Sequence, residues 1–341
     1  MKRRRALVLL AAVAFAWSCG SNVSDPAQPS ASAANANPAA AREYLDRILN
    51  IMQANSIHRL TIEWPTFRQS VLAAAPNAAT IAETYPAIRV ALGLLGDHHS
   101  FLTRPDGTFV TNPSPRGGCE DPRAPAAQVP ATIGYVKVGS FSGTSEQSLQ
   151  FALSIQEQIR AADSVGVVGW IVDLRGNGGG NMWPMVAGLG PVLGEGDAGQ
   201  FVSPTGVTST WGYADGSSYS QGARIVSVAV PYRLLRPDPR VAVLTDCGVA
   251  SSGEASVIAF RRRPNTRSFG TPTYGLSTSN AAFPLSDGAQ LYLTTSVMAD
   301  RTGARYGDVV VPDEVVRDPA QTVQRAADWL RAGGSASVAK R

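Results

Sequence analysis

The stretch Val241-Ala242-Val243-Leu244-Thr245-Asp246-Cys247-Gly248-Val249-Ala250-Ser251-Ser252-Gly253-Glu254 decides the fold. Its first four residues are an unbroken apolar run, the pattern of a strand buried on both faces. A turn containing glycine follows, and then a helix expected to run to about Phe260. Ser251 therefore stands where a buried strand hands over to a helix N-terminus. Backbone N–H groups and the positive end of the helix dipole gather at such a point, and both stabilise an oxyanion. The same residues admit a plainer reading, because Ser251-x-x-Glu254 is also a capping box that merely starts a helix.

The pattern repeats upstream. Residues 167–172 form a continuous apolar run, and Arg175-Gly176-Asn177-Gly178-Gly179-Gly180 then turns the chain into another helix. Glycines at that place let the backbone approach a ligand closely and adopt positive φ. The N–H of Gly179 or Gly180 could thus join that of Ser252 in holding an oxyanion. A phosphate loop is excluded, since no Lys-Ser/Thr follows and the G-x-G-x-x-G spacing is absent. Further elements read outward from these two: a strand at 133–138, a helix at 145–162, a strand at 291–296 and a last helix at 320–330. Strand-turn-helix units of this kind predict an α/β core with a mixed sheet covered by helices.

Ahead of the core, Tyr44, Leu45, Ile48, Leu49, Ile51 and Met52 recur at helical spacing, which predicts an N-terminal helical region over 40–102. Residues 103–130 are rich in Pro, Gly and charge and read as a long loop. The core is then expected over 131–332, with a flexible tail at 333–341. The chain opens on Lys2-Arg3-Arg4-Arg5 and an apolar run from Ala6 to Trp17, the pattern of a secretory signal over 1–19. Ser18-Cys19 resembles a bacterial lipoprotein processing site, making Cys19 the expected lipidation point and a lipid anchor the expected membrane attachment. Simple cleavage nearby is the alternative. Residues 20–39, rich in Ser, Asn, Ala and Pro, are expected to be a disordered tether.

Composition bounds the partners. The formal charge of +4 comes mainly from the two ends, and no basic stripe interleaved with aromatics lies between them, which argues against nucleic acid. An exported chain keeps its disulfides, so Cys119 and Cys247 are candidates to pair. Neither has metal-ligand spacing with another cysteine or histidine, and no metal or organic cofactor is implied.

A serine nucleophile needs a base, and the census is short: three histidines, His58, His98 and His99, and between the two ends only Lys137. His98 and His99 follow Gly96-Asp97 where the helical region meets the loop. His58 lies in a helical stretch.

Together the segments Asp173-Leu174-Arg175-Gly176-Asn177-Gly178-Gly179-Gly180 and Ala250-Ser251-Ser252-Gly253-Glu254 resemble two signature segments of the S41 peptidases, the tail-specific and tricorn-type proteases. Gly270-Thr271-Pro272-Thr273-Tyr274-Gly275 resembles the third, and Pro312-Asp313 the closing strand motif. The resemblance implies a ClpP/crotonase-like core and Ser251, rather than Ser252, as nucleophile. Its departures are informative. Where the tail-specific branch has a lysine base, this chain has Leu276. Gly96-Asp97-His98-His99-Ser100 instead is similar to the segment that supplies a histidine base in the tricorn-like branch, implying His99. The orienting acid of that branch falls roughly at Asp308, with Asp97 and Glu254 as alternatives and a structural role open for Asp313. Residues 101–132 are about a third of what an inserted PDZ domain of ~90–100 residues needs, so the chain is expected to recognise substrate with its own cleft.

The expected activity is hydrolysis of peptide bonds in a peptide or unfolded protein. Two readings compete: a non-catalytic binding protein of the same fold for a hydrophobic ligand or peptide, and crotonase-type acyl-CoA chemistry. The export signal argues against the latter. The sequence sets no oligomeric state.

Overall fold

The computed structural model describes residues 36–114, 117, 119 and 127–338; the expected signal segment, Cys19 and residues 20–35 of the tether lie outside them. The helical periodicity near the start becomes α1 (Pro38–Asn55), joined by α2 (Trp64–Ala73) and α3 (Ile81–Leu95). Helix α3 stops at Gly96, whose φ of 71° is the left-handed conformation that glycine adopts without a steric penalty. The next residues enter β1 (Phe101–Thr103) and β2 (Phe109–Thr111), then β3 (Gly134–Lys137) and α4 (Ser145–Ala162). There follow β4 (Trp170–Asp173), α5 (Met182–Leu193), β5 (Gly196–Val202), β6 (Thr208–Ala214), β7 (Ser217–Ser220) and β8 (Ala223–Ser227). The chain finishes with β9 (Val241–Thr245), α6 (Ser252–Ala259), β10 (Thr266–Gly270), β11 (Thr278–Pro284), β12 (Gln290–Asp300), β13 (Glu314–Val315) and α7 (Pro319–Val338).

Strands of both senses are present, divided between two sheets. One is wholly parallel, in the order β13-β10-β9-β4-β3. Its strands β4 and β9 are buried along their whole length because both faces of the sheet are covered. Ile171, Ala242, Leu244 and Phe269 pack against Val323, Ala326, Ala327 and Leu330 of α7. Val136, Val172 and Val243 point the other way, into a core shared with α4, α5 and α6.

The second sheet is antiparallel, in the order β2-β1-β12-β5-β6-β7-β8, with β11 also paired to β12. Its Ala198, Trp211, Tyr213 and Met298 close the far side of the same core. Leu102, Val110, Leu291 and Leu293 instead pack under α1 and α3, which fixes the helical region on the sheet. Two sequence expectations change here. Residues 101–111 form a strand pair where the helical region was expected to reach 102 and a loop to begin at 103, and residues 196–227 form a four-stranded meander that the apolar pattern did not announce.

The architecture places three chain segments at one spot. The turns after β4 and β9 both leave the same ends of adjacent parallel strands, and the turn between α3 and β1 reaches them from the antiparallel sheet.

Candidate active site

The turn after β9 is built from its own backbone. Asp246 Oδ1 accepts the N–H of Gly248 at 3.0 Å and that of Gly176, in the glycine turn, at 2.8 Å. The N–H of Ala250 reaches the carbonyl of Asn177 at 3.0 Å, and that of Tyr274 reaches the carbonyl of Val249 at 2.8 Å. Three turns distant in sequence are therefore sewn into one surface. They fit with no clearance: a Cβ on Gly179 (φ +100°) would lie 2.7 Å from the Ala250 carbonyl oxygen and 2.8 Å from Ser251 Cβ. A Cβ on Gly253 would lie 2.2 Å from the Asn177 oxygen.

Ser251 sits at the corner with φ 53° and ψ −118°, a backbone conformation that non-glycine residues rarely hold. Ser251 Oγ lies 2.9 Å from His99 Nε2, across 152 residues of sequence. As in a capping box, the Glu254 carboxylate accepts the Ser251 N–H at 2.9 Å.

His99 is held at every polar atom. Its N–H donates to Asp97 Oδ1 at 2.9 Å, its carbonyl accepts from Asn280 Nδ2 at 2.9 Å, and its Nδ1 lies 2.7 Å from Thr278 Oγ1. The ring is buried. Burial pushes its pKa down from the usual 6.5 to about 4, with the Asp97 charge pulling weakly the other way. His98 has φ 57° and turns outward, its Nδ1 lying 3.1 Å from the Ser114 carbonyl oxygen. His58 lies between α1 and α2.

The acid expected behind the ring is replaced by a hydroxyl. Thr278, the first residue of β11, takes the Nδ1 position that the resemblance implied for Asp308. Asp308 is exposed and offers its backbone carbonyl to Ser277 Oγ, one residue before Thr278. Asp97 supports the main chain of His99, and Glu254 faces the turn that carries Ser251. Asp313 binds Arg261 at 2.7 Å and Ser268, beside β10.

Glu254 is fully buried, and its carboxylate accepts from Ser251, Leu276 and Gly275 N–H and from Thr273 Oγ1. Burial pushes its pKa up to about 7 against the pull of these four donors. Lys137 is committed elsewhere, with Nζ 2.6 Å from the Arg175 carbonyl oxygen and 3.3 Å from Asp173.

Among the described residues, neither Ser252 N–H nor Gly180 N–H is matched with an acceptor, whereas Gly179 N–H is taken by Asn177 Oδ1 at 3.0 Å. Ser252 Oγ donates to the Gly180 carbonyl at 2.6 Å and so ties the two together. Cys119 and Cys247 are bridged, with Cα atoms 5.3 Å apart, which fastens the segment after β2 to the turn four residues before Ser251.

Sequence reasoning missed Thr278, which carries no motif of its own, and the four-way role of Glu254. The Thr273-Tyr274-Gly275 segment was the available signal for both, since it leads into β11 and supplies three of the four donors with Leu276.

Comparison with known proteins bears on the fold and the family. Over 294 residues the chain is 26% identical to the nisin-resistance protein of Lactococcus lactis subsp. lactis, covering 86% of this chain and 88% of that one. Among solved structures, a lipoprotein from Streptococcus agalactiae shares the fold with a TM-score of 0.68 and 24% identity, over 86% of this chain and 96% of that one. The photosystem II D1 C-terminal processing protease shares it with a TM-score of 0.53 and 18% identity, over 85% and 99% of the two chains. The model of peptidase family S41 matches residues 132–316, more than half of the sequence, and the chain belongs to that family.

Proposed function

We propose that the chain is an exported serine endopeptidase that cleaves peptide bonds through an acyl-enzyme on Ser251, with His99 as general base. The observation that carries this reading is the 2.9 Å contact between Ser251 Oγ and His99 Nε2. As Oγ attacks a peptide carbonyl, Nε2 takes its proton and later delivers it to the leaving amine. Water then attacks the ester, with His99 again as base. The N–H groups of Ser252 and Gly180 are the donors assigned to the oxyanion; each such donor is worth roughly 10²–10³ in rate. The dipole of α6 adds to them.

Export is supported by the basic and apolar start of the chain, with Cys19 as the proposed lipidation point, and by a disulfide that suits an oxidising compartment. Among the described residues no helix is long and apolar enough to cross a membrane. The relative named for nisin resistance supports a peptide met in the cell envelope as substrate.

A binding protein without catalysis is the second reading. A strained serine held in hydrogen-bond contact with a buried histidine weighs against it, since binding alone needs neither. The test is incubation of the full chain with an unstructured protein and with nisin, followed by mass spectrometry of the products. Cleavage by the wild type and none by Ser251→Ala or His99→Ala is expected. Intact peptides with the wild type would favour the binding protein.

A further inference from the structure

The geometry points to Thr278 as the positioning residue of His99: its Oγ1 accepts the Nδ1 proton and so presents the Nε2 lone pair to Ser251. This rests on the reading of Ser251 and His99 as nucleophile and base.

The contact is short and enclosed, 2.7 Å between two residues that are each 8% exposed. Thr278 has little freedom to leave it. The residues just before it are bound to buried Glu254 through Thr273 Oγ1, Gly275 N–H and Leu276 N–H. Ser277 takes the Met298 N–H on its carbonyl and the Gly307 N–H on its Oγ. Thr278 itself pairs with Val297 of β12. The hydroxyl is thus delivered to the ring by a strand end fixed on both sides.

Two proton arrangements satisfy the distances, and the setting of Ser251 selects between them. Its Oγ lies at the N-terminus of α6, where the dipole and the Ser252 N–H favour negative charge on oxygen. Oγ is therefore the donor to Nε2, not the acceptor of one more N–H. The remaining ring proton then sits on Nδ1, and Thr278 Oγ1 accepts it.

A neutral acceptor differs from a carboxylate in one consequence. It fixes the tautomer, but it contributes only a dipole toward the imidazolium that forms during acylation. Among the described residues, Asp97 is the charged group that acts on the ring, and it is bonded to the His99 main chain instead. The low basicity of His99 agrees with this arrangement.

The test is nitrogen NMR of the full chain labelled with ¹⁵N-histidine, with the His99 signals assigned by their loss in His99→Asn. The expected result is a single Nδ1–H tautomer in the wild type and a tautomer mixture in Thr278→Val. Labelling of Ser251 by a fluorophosphonate should slow roughly 10–100-fold in Thr278→Val and stay within about threefold in Thr278→Ser. An Nε2–H tautomer in the wild type overturns the inference, as does a Thr278→Val variant with unchanged tautomer and unchanged rate. Should wild-type Ser251 fail to label at all, the peptidase reading falls, while the tautomer still decides the role of Thr278.

Discussion

The carboxylate of Glu254 accepts the backbone N–H of Ser251 at 2.9 Å, so a residue one turn into α6 holds the strained corner that precedes it. The same carboxylate holds residues 273–276, which lead to Thr278 at the His99 ring. One buried group thus spans both halves of the candidate dyad. In Glu254→Gln an amide NH₂ would face two of the four donors. The variant is expected to lose about 2–4 kcal/mol of stability, read from urea unfolding, and most of its activity. A loss under about 0.5 kcal/mol would contradict this account of Glu254.

Gly179 tests the fit between the two turns. Gly179→Ala forces a Cβ to within 2.7 Å of the Ala250 carbonyl and 2.8 Å of Ser251 Cβ, at a φ of +100° that alanine resists. Displacement of Ser251, the proposed nucleophile, is expected to cut hydrolysis more than roughly 100-fold, since a shift near 1 Å has that effect. Wild-type activity in Gly179→Ala would mean that the two turns do not meet so closely.

The pH dependence follows from two opposed shifts. His99 is lowered to about 4, so the proposed base is expected to stay neutral well below 6.5. An unfolded chain takes up that proton near 6.5 while the native one refuses it, so the His99 contribution turns against the fold as pH falls from 6.5 toward 4. Glu254 is raised to about 7. Its native proton, released by the unfolded chain near 4.5, favours the fold at low pH, and that contribution is lost as pH rises through about 7. Titration of His99 followed by NMR should show no inflection until about pH 4. An inflection between 6 and 7 would contradict the burial argument.

The bridge between Cys119 and Cys247 closes a separation of 128 residues and ends four residues before Ser251. In the double variant Cys119→Ser with Cys247→Ser, stability is expected to fall by about 2–5 kcal/mol, measured as the denaturation midpoint with and without reductant. A midpoint in the wild type that ignores reductant would show that the bridge contributes little.

How much of this was legible in the sequence depended on the kind of contact. The apolar runs at 167–172 and 241–244 announced strands buried on both faces, and the turns after them announced where chemistry could gather. Scarcity of bases narrowed the partner of Ser251 to a few candidates, and the resemblance of residues 96–100 to the tricorn-like segment is what singled out His99. The meander at 196–227 was not legible, since its strands mix buried residues with exposed Ser, Thr and Gly and alternate poorly. Thr278 was hidden for another reason. A threonine at the start of a strand satisfies β propensity, and only the register of β11 on β12 turns its hydroxyl toward the ring.

The central claim is that Ser251 is a nucleophile activated by His99, and adduct mapping tests it most directly. The full chain would be treated with a fluorophosphonate, digested, and its modified peptide sequenced by mass spectrometry. The account predicts one adduct, on Ser251, absent in Ser251→Ala and formed far more slowly in His99→Ala. An adduct on another residue, or equal labelling of the Ser251→Ala protein, would contradict it.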